Sequence, residues 1–580
     1  MSSLLTRTAA LVLACLAPLA HGGPAPAAPT GFIVELADGL PADAAQKRIQ
    51  SVLQQQAQPL QLRRTLSARW HVVDTPAGLD ATAAAALQQR LRADPRVRSV
   101  VPDVREQRMA VTPNDARYAA QWWLQPVAAG NTGAAGFATA WDRSTGAAPG
   151  VVVAVLDSGI TSHIETNARI VPGWDFVADA VFSADGNGRD NDPQDPGDAV
   201  TDADRTAQPD KFGGCPPASQ SSWHGTTIAG QLAAVTNNTE GVAAANWQGL
   251  VQPVRVAGKC GAALSDIIDG LRWAAGLAVA GAPTNPTPAR LIVLSYGGTD
   301  PCDANSSDAA VRDTARLYES TLAEVRAQGA LVVVAAGNQR TAVGRPASCS
   351  GAFAVTSVNR EGYKAAYANF GAAVRLATPG GDDASGGDCA AGDANLRDGG
   401  LVSIGNLGAQ APGAAGYVAA SGTSFAAPAV AAAAALMLAV NPALTLAQLE
   451  QGLTASARPH VAVPLLGTCA AGSNTGRCAC TTNTCGAGLL DAEQALAFAA
   501  SPTGWTAPAR SAVTLSDDRL RACAVSLGRP VDPVTPAPPV PPASAPEASG
   551  GGGGGAVQGS WLAGLLLAVA ALGGLRRPRR

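Results

Sequence analysis

Three observations predict an α/β fold built on a doubly wound, mostly parallel sheet with helices on both faces. Val151–Asp157, Leu291–Ser295 and Leu331–Ala335 are continuous apolar runs rich in β-branched residues, the pattern of central parallel strands buried on both faces. Each run ends in polar or glycine residues: Asp157-Ser158-Gly159, Ser295-Tyr296-Gly297-Gly298 and Gly337-Asn338. Helical stretches, Ser265–Gly276 and Asp308–Ala327, separate the runs, and strand–helix alternation is the mark of this fold class. Catalytic and ligand-binding groups gather at the carboxyl ends of such strands, so these three ends are where chemistry is expected.

Taken in order, the chain opens with Arg7, an apolar run Ala9–Ala20 and small residues to Ala28. Residues 1–25 read as a secretory signal peptide. Cys15 lies too close to the start of the apolar run to read as a lipoprotein cysteine, and export places the other cysteines of the 11 in an oxidising compartment. Residues 26–109 read as a unit of their own. Strands are expected over Gly31–Leu36, Leu62–Leu66, Trp70–Val73 and Val97–Val104, with helices over Ala42–Gln56 and Asp80–Arg92. The order βαββαβ is that of a small ferredoxin-like α+β module.

Residues 110–500 carry the buried strands. Charged residues make up 15% of the chain and the net charge is −3. No basic face is present for nucleic acid, so no nucleic-acid partner is expected. With 64 glycines and 4% aromatics, the interior is packed from small side chains. Residues 501–556 read as a Pro/Ala/Ser/Gly-rich linker ending in the flexible Gly550–Gly555. In residues 557–580, apolar Trp561–Leu575 precedes Arg576, Arg577, Arg579 and Arg580. This reads as a C-terminal hydrophobic and basic sorting or anchor segment, reaching the membrane with its arginines on the cytoplasmic side. It is similar to bacterial C-terminal sorting signals of the GlyGly type.

The stretch Ser421-Gly422-Thr423-Ser424-Phe425-Ala426-Ala427-Pro428 runs into an alanine-rich helix stopped by Asn441-Pro442. A serine in the first turn of a helix sits beside unpaired N–H groups and a partial positive charge, both useful where an oxyanion forms. A capped, buried Ala-rich helix is the plainer reading of the same stretch. A nucleophilic serine needs a base. Of five histidines, His21 lies in the signal region, His71 in the N-terminal unit and His460 in a Pro-flanked turn. Elimination favours His224, which opens the helical His224-Gly225-Thr226-Thr227, and leaves His163 as the second candidate.

Asp157-Ser-Gly159 ending a strand, His224-Gly-Thr226 opening a helix and Gly422-Thr-Ser424-Phe-Ala-Ala-Pro428 resemble the subtilisin-like (subtilase) serine proteases, in that family's Asp, His, Ser order. Ala335-Ala-Gly337-Asn338 is similar to the family's oxyanion segment. The resemblance implies a secreted serine endopeptidase. Ser424 would be its nucleophile, His224 its base, Asp157 the orienting carboxylate and Asn338 an oxyanion donor. Ser295, Tyr296, Gly297 and Gly298 would pair with the substrate backbone. It further implies protein or peptide substrates, no cofactor for the chemistry, and residues 26–109 as an inhibitory propeptide of a self-processed zymogen. Two departures stand out: Thr227 and Ala429 occupy positions where the family usually has histidine, outside the triad. An α/β-hydrolase would need Gly-x-Ser-x-Gly and the order Ser, acid, His, and an inactive binding protein would not need the whole triad.

The resemblance to secreted subtilases with several disulfides implies Cys215–Cys260 and Cys302–Cys349 beside the cleft, and Cys469–Cys485. Cys389, Cys478, Cys480 and Cys523 stay unassigned, and Cys478-Ala-Cys480 with Cys485 lacks a nearby histidine for zinc. The acidic loop 185–198 offers Asp185, Asp190 and Asp192 for a structural calcium of the kind many subtilases bind. Its plainer reading is a solvated loop.

Overall fold

The computed structural model describes residues 31–531 apart from 38, 57–59, 77–80, 104–110, 384–395, 517, 527 and 530. The signal peptide, Cys15, Cys389 and the segment 557–580 lie outside the described residues.

The N-terminal unit runs β1 (Gly31–Leu36), α1 (Ala42–Gln54), β2 (Gln61–Thr65), β3 (Trp70–Asp74), α2 (Ala81–Ala93) and β4 (Val97–Pro102). Its antiparallel sheet has the order β2-β3-β1-β4. Alternate residues of β1, Phe32, Val34 and Leu36, face α1, which buries Ala45, Ile49, Val52 and Leu53 at helical spacing. That gives the unit a core of its own.

The larger unit is built on seven parallel strands in the order β11-β10-β9-β8-β5-β7-β6. They are β5 (Val152–Asp157), β6 (Trp174–Asp175), β7 (Leu250–Arg255), β8 (Leu291–Leu294), β9 (Leu331–Ala335), β10 (Phe353–Val358) and β11 (Val374–Pro379). The chain builds outward from β5 on one side through β7, then returns to β8 on the other. The strand order therefore reverses at the carboxyl end of β5, where a crevice must open. On one face lie α3 (His224–Ala233), α6 (Thr423–Val440), α7 (Leu446–Ala455) and α8 (Ala492–Ala500). On the other lie α4 (Leu264–Ala274) and α5 (Ala309–Ala327). A hairpin, β12 (Leu401–Asn406) and β13 (Ala415–Ala420), stands over α3.

Helix α6 is apolar all round, and every residue from Thr423 to Leu438 is buried. It packs on β8, β9, β10 and β11 and against α3 and α8. By length and composition it could cross a membrane, but 89% of it is buried in this core. Only alanine-sized residues permit so many close neighbours, which is why Ala431–Ala435 carries no bulk.

Two expectations are corrected. Cys469 pairs with Cys478, and Cys480 with Cys485, with Cα–Cα distances of 5.0 and 5.5 Å; Cys469–Cys485 is not formed. The reason is local: the 470–474 turn, closed by Asn474 N–H to Ala470 O at 2.9 Å, folds Cys469 back towards Cys478, and the Thr481–Thr484 turn returns Cys485 to Cys480. Their sulfurs crowd with those of the neighbouring bridge, but as disulfides they are not thiolate ligands for zinc. Cys215–Cys260 and Cys302–Cys349 are bonded, and Cys523 is also in a disulfide.

The second correction concerns residues 501–531, which are not linker throughout. Ala462 N–H donates to Val513 O and Leu515 N–H to Ala462 O, and helix Asp518–Ser526 buries Leu520, Cys523 and Ala524 against Val461–Leu466. The folded unit therefore continues past Ala500, because leucine and cysteine in this stretch offer a buried face that its average composition conceals.

Since α6 has no room to spare, Ala432→Leu, at a position 1% exposed, should destabilise the domain by about 1–3 kcal/mol or more. Urea unfolding measures this, and an unchanged midpoint would show that the helix is not tightly packed.

Candidate active site

The carboxyl ends of β5, β8 and β9 and the N-termini of α3 and α6 meet at one edge of the sheet. At the end of β5, Asp157 is 1% exposed. Its Oδ1 accepts the Ser158 N–H at 2.8 Å, and both oxygens face His224 Nδ1, at 2.8 and 3.0 Å. A neutral imidazole so placed carries its proton on Nδ1 and leaves Nε2 free as a base. Gly225 makes the approach possible: a Cβ there would lie 2.1 Å from Gly159 O and 3.1 Å from Asp157 Cβ.

The entry to α3 is held from several sides. Ser158 Oγ donates to Asp195 Oδ2 at 2.7 Å, and Gly225 N–H points at the same hydroxyl at 3.2 Å. Arg255, at the end of β7, is fully buried; its Nε donates to Ser158 O at 3.3 Å and its guanidinium pairs with Asp175 and Asp185. Trp223, in the left-handed region at φ 49°, donates through its indole to Gly408 O on the hairpin at 2.7 Å. Thr227 is buried and bonds back to Trp223 O, while Ala429 is buried within α6. The two positions where the family usually has histidine are thus filled as packing.

His163, the second candidate, is used otherwise. Its Nδ1 accepts the Glu165 N–H at 3.2 Å, so Nε2 carries the proton and donates to Gly416 O at 3.1 Å. His460 is bonded to Gly486 O and His71 to Thr65. The structure brings His224 to Asp157 and none of the others.

Ser424 lies in the first turn of α6, 6% exposed. Gly422 at the N-cap supplies no side-chain acceptor, so the N-cap residue does not claim the Ser424 N–H. Phe425 places its ring 5.2 Å from the His224 ring, and Tyr296 stands edge-on to the same imidazole at 6.1 Å. Pro428 has no N–H for the Ser424 carbonyl four residues earlier, and the Ser295 hydroxyl approaches that carbonyl at 3.5 Å instead. Gly297 and Gly298 continue from Ser295 along the rim, with Gly298 N–H bonded to Arg345 O at 2.8 Å.

Asn338 follows β9. Its Oδ1 accepts both the Thr423 N–H and the Thr423 hydroxyl, each at 3.0 Å. An amide oxygen identified by a backbone donor fixes the other end as NH2. Asn338 Nδ2 is therefore the donor end, lying beside Gly422 and one residue from the serine turn. Thr423 is a part of the site that the motif contains but that sequence reasoning left without a role.

Burial disfavours a charged His224, but the Asp157 carboxylate, its hydrogen bond and the charges of Asp198 and Asp195 outweigh it and raise the imidazole above its ordinary value. Burial likewise pushes Asp195 up to about 6, against the bond from Ser158.

Asp185, Asp190 and Asp192 share one loop, each with a protein partner. Asp185 is bound to Arg255, Asp190 accepts Asn187 Nδ2 and the Asp192 N–H, and Asp192 accepts the Gln194 N–H. A second pair of buried carboxylates lies elsewhere. Glu165 is 1% exposed; its Oε1 accepts the Tyr417 hydroxyl at 2.9 Å and its Oε2 is buried without a hydrogen-bond partner. Asp115, which holds the Asn237 N–H, and the turn 237–241 stand beside it.

A subtilase family model matches residues 148–495. The chain is 38% identical over 439 residues to an extracellular protease of Xanthomonas campestris pv. campestris, over 75% of this chain and 65% of that protein. It is 37% identical over 334 residues to an extracellular basic protease of Dichelobacter nodosus, over 56% of this chain and 48% of that one. The chain thus spans about two thirds and half of these curated relatives. Among solved structures, one of proteases from Pseudoalteromonas arctica PAMC 21717 has a TM-score of 0.55 at 39% identity, covering 67% of this chain and all of that one.

The raised His224 titration sets a sign. The charged pair stabilises the fold fully below the unfolded value of about 6.5 and is lost as pH rises through the higher folded value. A base function runs the other way, appearing only as the proton leaves. The acid limb of kcat/KM should therefore lie above about pH 6.5, and Asp198→Asn should move it down. A pH–rate profile of both proteins checks this; an unmoved limb removes Asp198 from the field.

Proposed function

The chain belongs to the subtilase family, and from that premise we propose that it is a secreted serine endopeptidase made as a zymogen. The observation that carries the reading is the two-oxygen contact of Asp157 with His224 Nδ1, beside a serine in the first turn of α6.

In this reading a substrate strand lies along Ser295–Gly298 and presents its carbonyl to Ser424. Ser424 Oγ bonds to the carbonyl carbon as His224 Nε2 takes the hydroxyl proton, and Asp157 stabilises the imidazolium that forms. The oxyanion lies between the Ser424 N–H and Asn338 Nδ2. One such donor is worth roughly 10²–10³ in kcat, a general figure taken from a subtilisin. Collapse breaks the C–N bond, His224 returns the proton to the leaving amine, and water, activated by the same base, hydrolyses the acyl-enzyme. The gain in holding the pair together is entropic as well as electrostatic. No cofactor enters this chemistry.

The extracellular relatives support export through residues 1–25, and the βαββαβ unit ahead of the catalytic unit fits an inhibitory propeptide cut between about Arg105 and Pro113. Glu165 and Asp115, with the turn 237–241, would hold a structural calcium ion, which supplies positive charge to buried carboxylates and fastens the start of the mature unit. Residues 557–580 would hold or sort the protein at the membrane, and proteins or peptides are the substrates.

Two measurements test these assignments. Wild type should react with a labelled fluorophosphonate and begin near Ala110, whereas Ser424→Ala should remain unlabelled and keep residues 30–108 attached. Labelling of Ser424→Ala, or its normal trimming in the absence of other proteases, refutes the respective claim. For the ion, chelation should lower the Tm of wild type and leave that of Glu165→Gln, already lower, unchanged; equal shifts in both would place any calcium elsewhere.

A further inference from the structure

Asn338 sits in a loop that has little to hold it. Gln339 beside it is exposed, Gly337 has φ 103° and Arg340 has φ 59°, a left-handed conformation that costs a non-glycine residue about 1 kcal/mol or more. An exposed loop with such backbone is free to rearrange unless something over-determines it. Thr423 fixes the side-chain oxygen of Asn338 and, through its hydroxyl, accepts the Gly337 N–H at 3.0 Å.

Backbone bonds hold the loop at its edges, Ala336 N–H to Val355 O at 3.0 Å and Arg340 N–H to Tyr367 O at 3.0 Å, and one side chain from the segment between β10 and β11 bridges both flanks of Asn338. Asn369 is 3% exposed. Its Oδ1 accepts the Gln339 N–H at 2.8 Å and the Thr341 N–H at 3.1 Å. Its Nδ2 donates to Ala336 O at 3.1 Å and to Gln339 Oε1 at 2.9 Å. Gln339 Oε1 in turn accepts the Asn338 N–H at 3.0 Å. The Asn369 backbone N–H donates to Gly337 O at 2.9 Å. The carboxamide orientation is forced, since two backbone N–H groups require its oxygen. All of these side-chain bonds go to the loop 336–341, on both sides of Asn338. Gly337 is part of the same fit: a Cβ there would lie 2.4 Å from Asn369 Nδ2. Asn369 is itself anchored from behind, its carbonyl accepting the Thr356 hydroxyl at 2.6 Å.

We propose that Asn369 is the positioning residue of the oxyanion donor: it clamps the loop backbone so that Asn338 Nδ2 is preorganised where the tetrahedral intermediate places its charge. The inference rests on the reading of Asn338 as that donor. It touches no substrate. Its contribution is realised only in the transition state, because the ground-state carbonyl does not yet carry the charge that Asn338 meets.

The mature enzyme carrying Asn369→Ala should lose about tenfold to a hundredfold in kcat, the scale of a 1 Å misplacement, with KM changed less than about threefold. Asn338→Ala should lose about 10²–10³, and adding Asn369→Ala to it should cost less than about threefold more, because the donor being positioned is already gone. kcat and KM on one peptide anilide that wild type cleaves, for the two single variants and the double, give the cycle. If Asn338→Ala is as fast as wild type, the reading of Asn338 fails. If it is slow but the two losses multiply, or Asn369→Ala keeps full kcat, the positioning role fails. Asn369→Asp keeps both acceptor bonds and loses both donors, so it carries the same test if the alanine variant does not fold. Failure of both to fold would make Asn369 a residue of the fold alone and overturn the proposal.

Discussion

The closeness of α6 to the sheet is the constraint on which the site depends. Its body lies against β8, β9, β10 and β11, and all residues from Thr423 to Leu438 are buried. The parallel strands all end at the same edge, so a helix fixed along their faces has no choice about where its first turn emerges. Ser424 reaches the level of Asp157, Ser295 and Asn338 because the helix behind it packs on strands distant in the chain. Alanine buries little area per residue, about 25 cal/mol per Å², so this helix gains from many shallow contacts instead of a few deep ones. The gain in uniqueness is larger: along Ala431–Ala435 there is no long side chain whose alternative rotamer could let the helix slide.

The second dependence is electrostatic. Asp157, Asp195 and Asp198 together raise His224 against the effect of its burial. Arg255 occupies the space beneath, bound to Asp175, Asp185 and the Ser158 carbonyl. At an effective dielectric of about 20, a unit charge 4 Å away contributes about 4 kcal/mol, so a carboxylate at the distance of Asp157 outweighs desolvation of a largely buried ring. The field is one-sided. In the proposed reaction it would favour the imidazolium formed when Ser424 loses its proton, and so count for more in the transition state than in the resting protein.

Legibility followed periodicity and motif. The runs at β5, β8 and β9 are unbroken and apolar, so their strands and carboxyl ends were readable, and Asp157, His224 and Ser424 came with short motifs whose order is informative. β10 escaped notice because Thr356 and Ser357 interrupt it; both are buried, with Thr356 bonded to Asn369 O and Ser357 to Tyr367, so polarity there reports partners and not exposure. The Cys469 pairing failed because two turns, at 470–474 and 481–484, decide it, and sulfur spacing does not encode turns. The 518–526 helix was hidden by the proline-rich composition beyond it. The acidic loop 185–198 suggested a cation cage, yet Asp185 faces a buried arginine from β7 that is seventy residues away in sequence. A single asparagine such as Asn369 carries no sequence signal at all, since its meaning lies in four bonds to one loop.

The two halves of the site are built from different materials, and the chemistry requires it. Around His224 the determinants are carboxylates, which stabilise a cation. Around Asn338 the groups that bond to the donor and its loop are Thr423, Gln339 and Asn369, all neutral. A carboxylate at Asn369 would keep the acceptor bonds but lose those to Ala336 O and Gln339 Oε1, and it would oppose the negative charge that develops on the substrate oxygen. Amides and hydroxyls supply direction without net charge, and their dipoles are set before the reaction starts. In the proposed reaction Ser424 would stand between the two fields, losing its proton toward the negative side and pushing electrons toward the neutral one. The division of polar residues along this edge therefore follows the separation of charge in the step that the fold brings about.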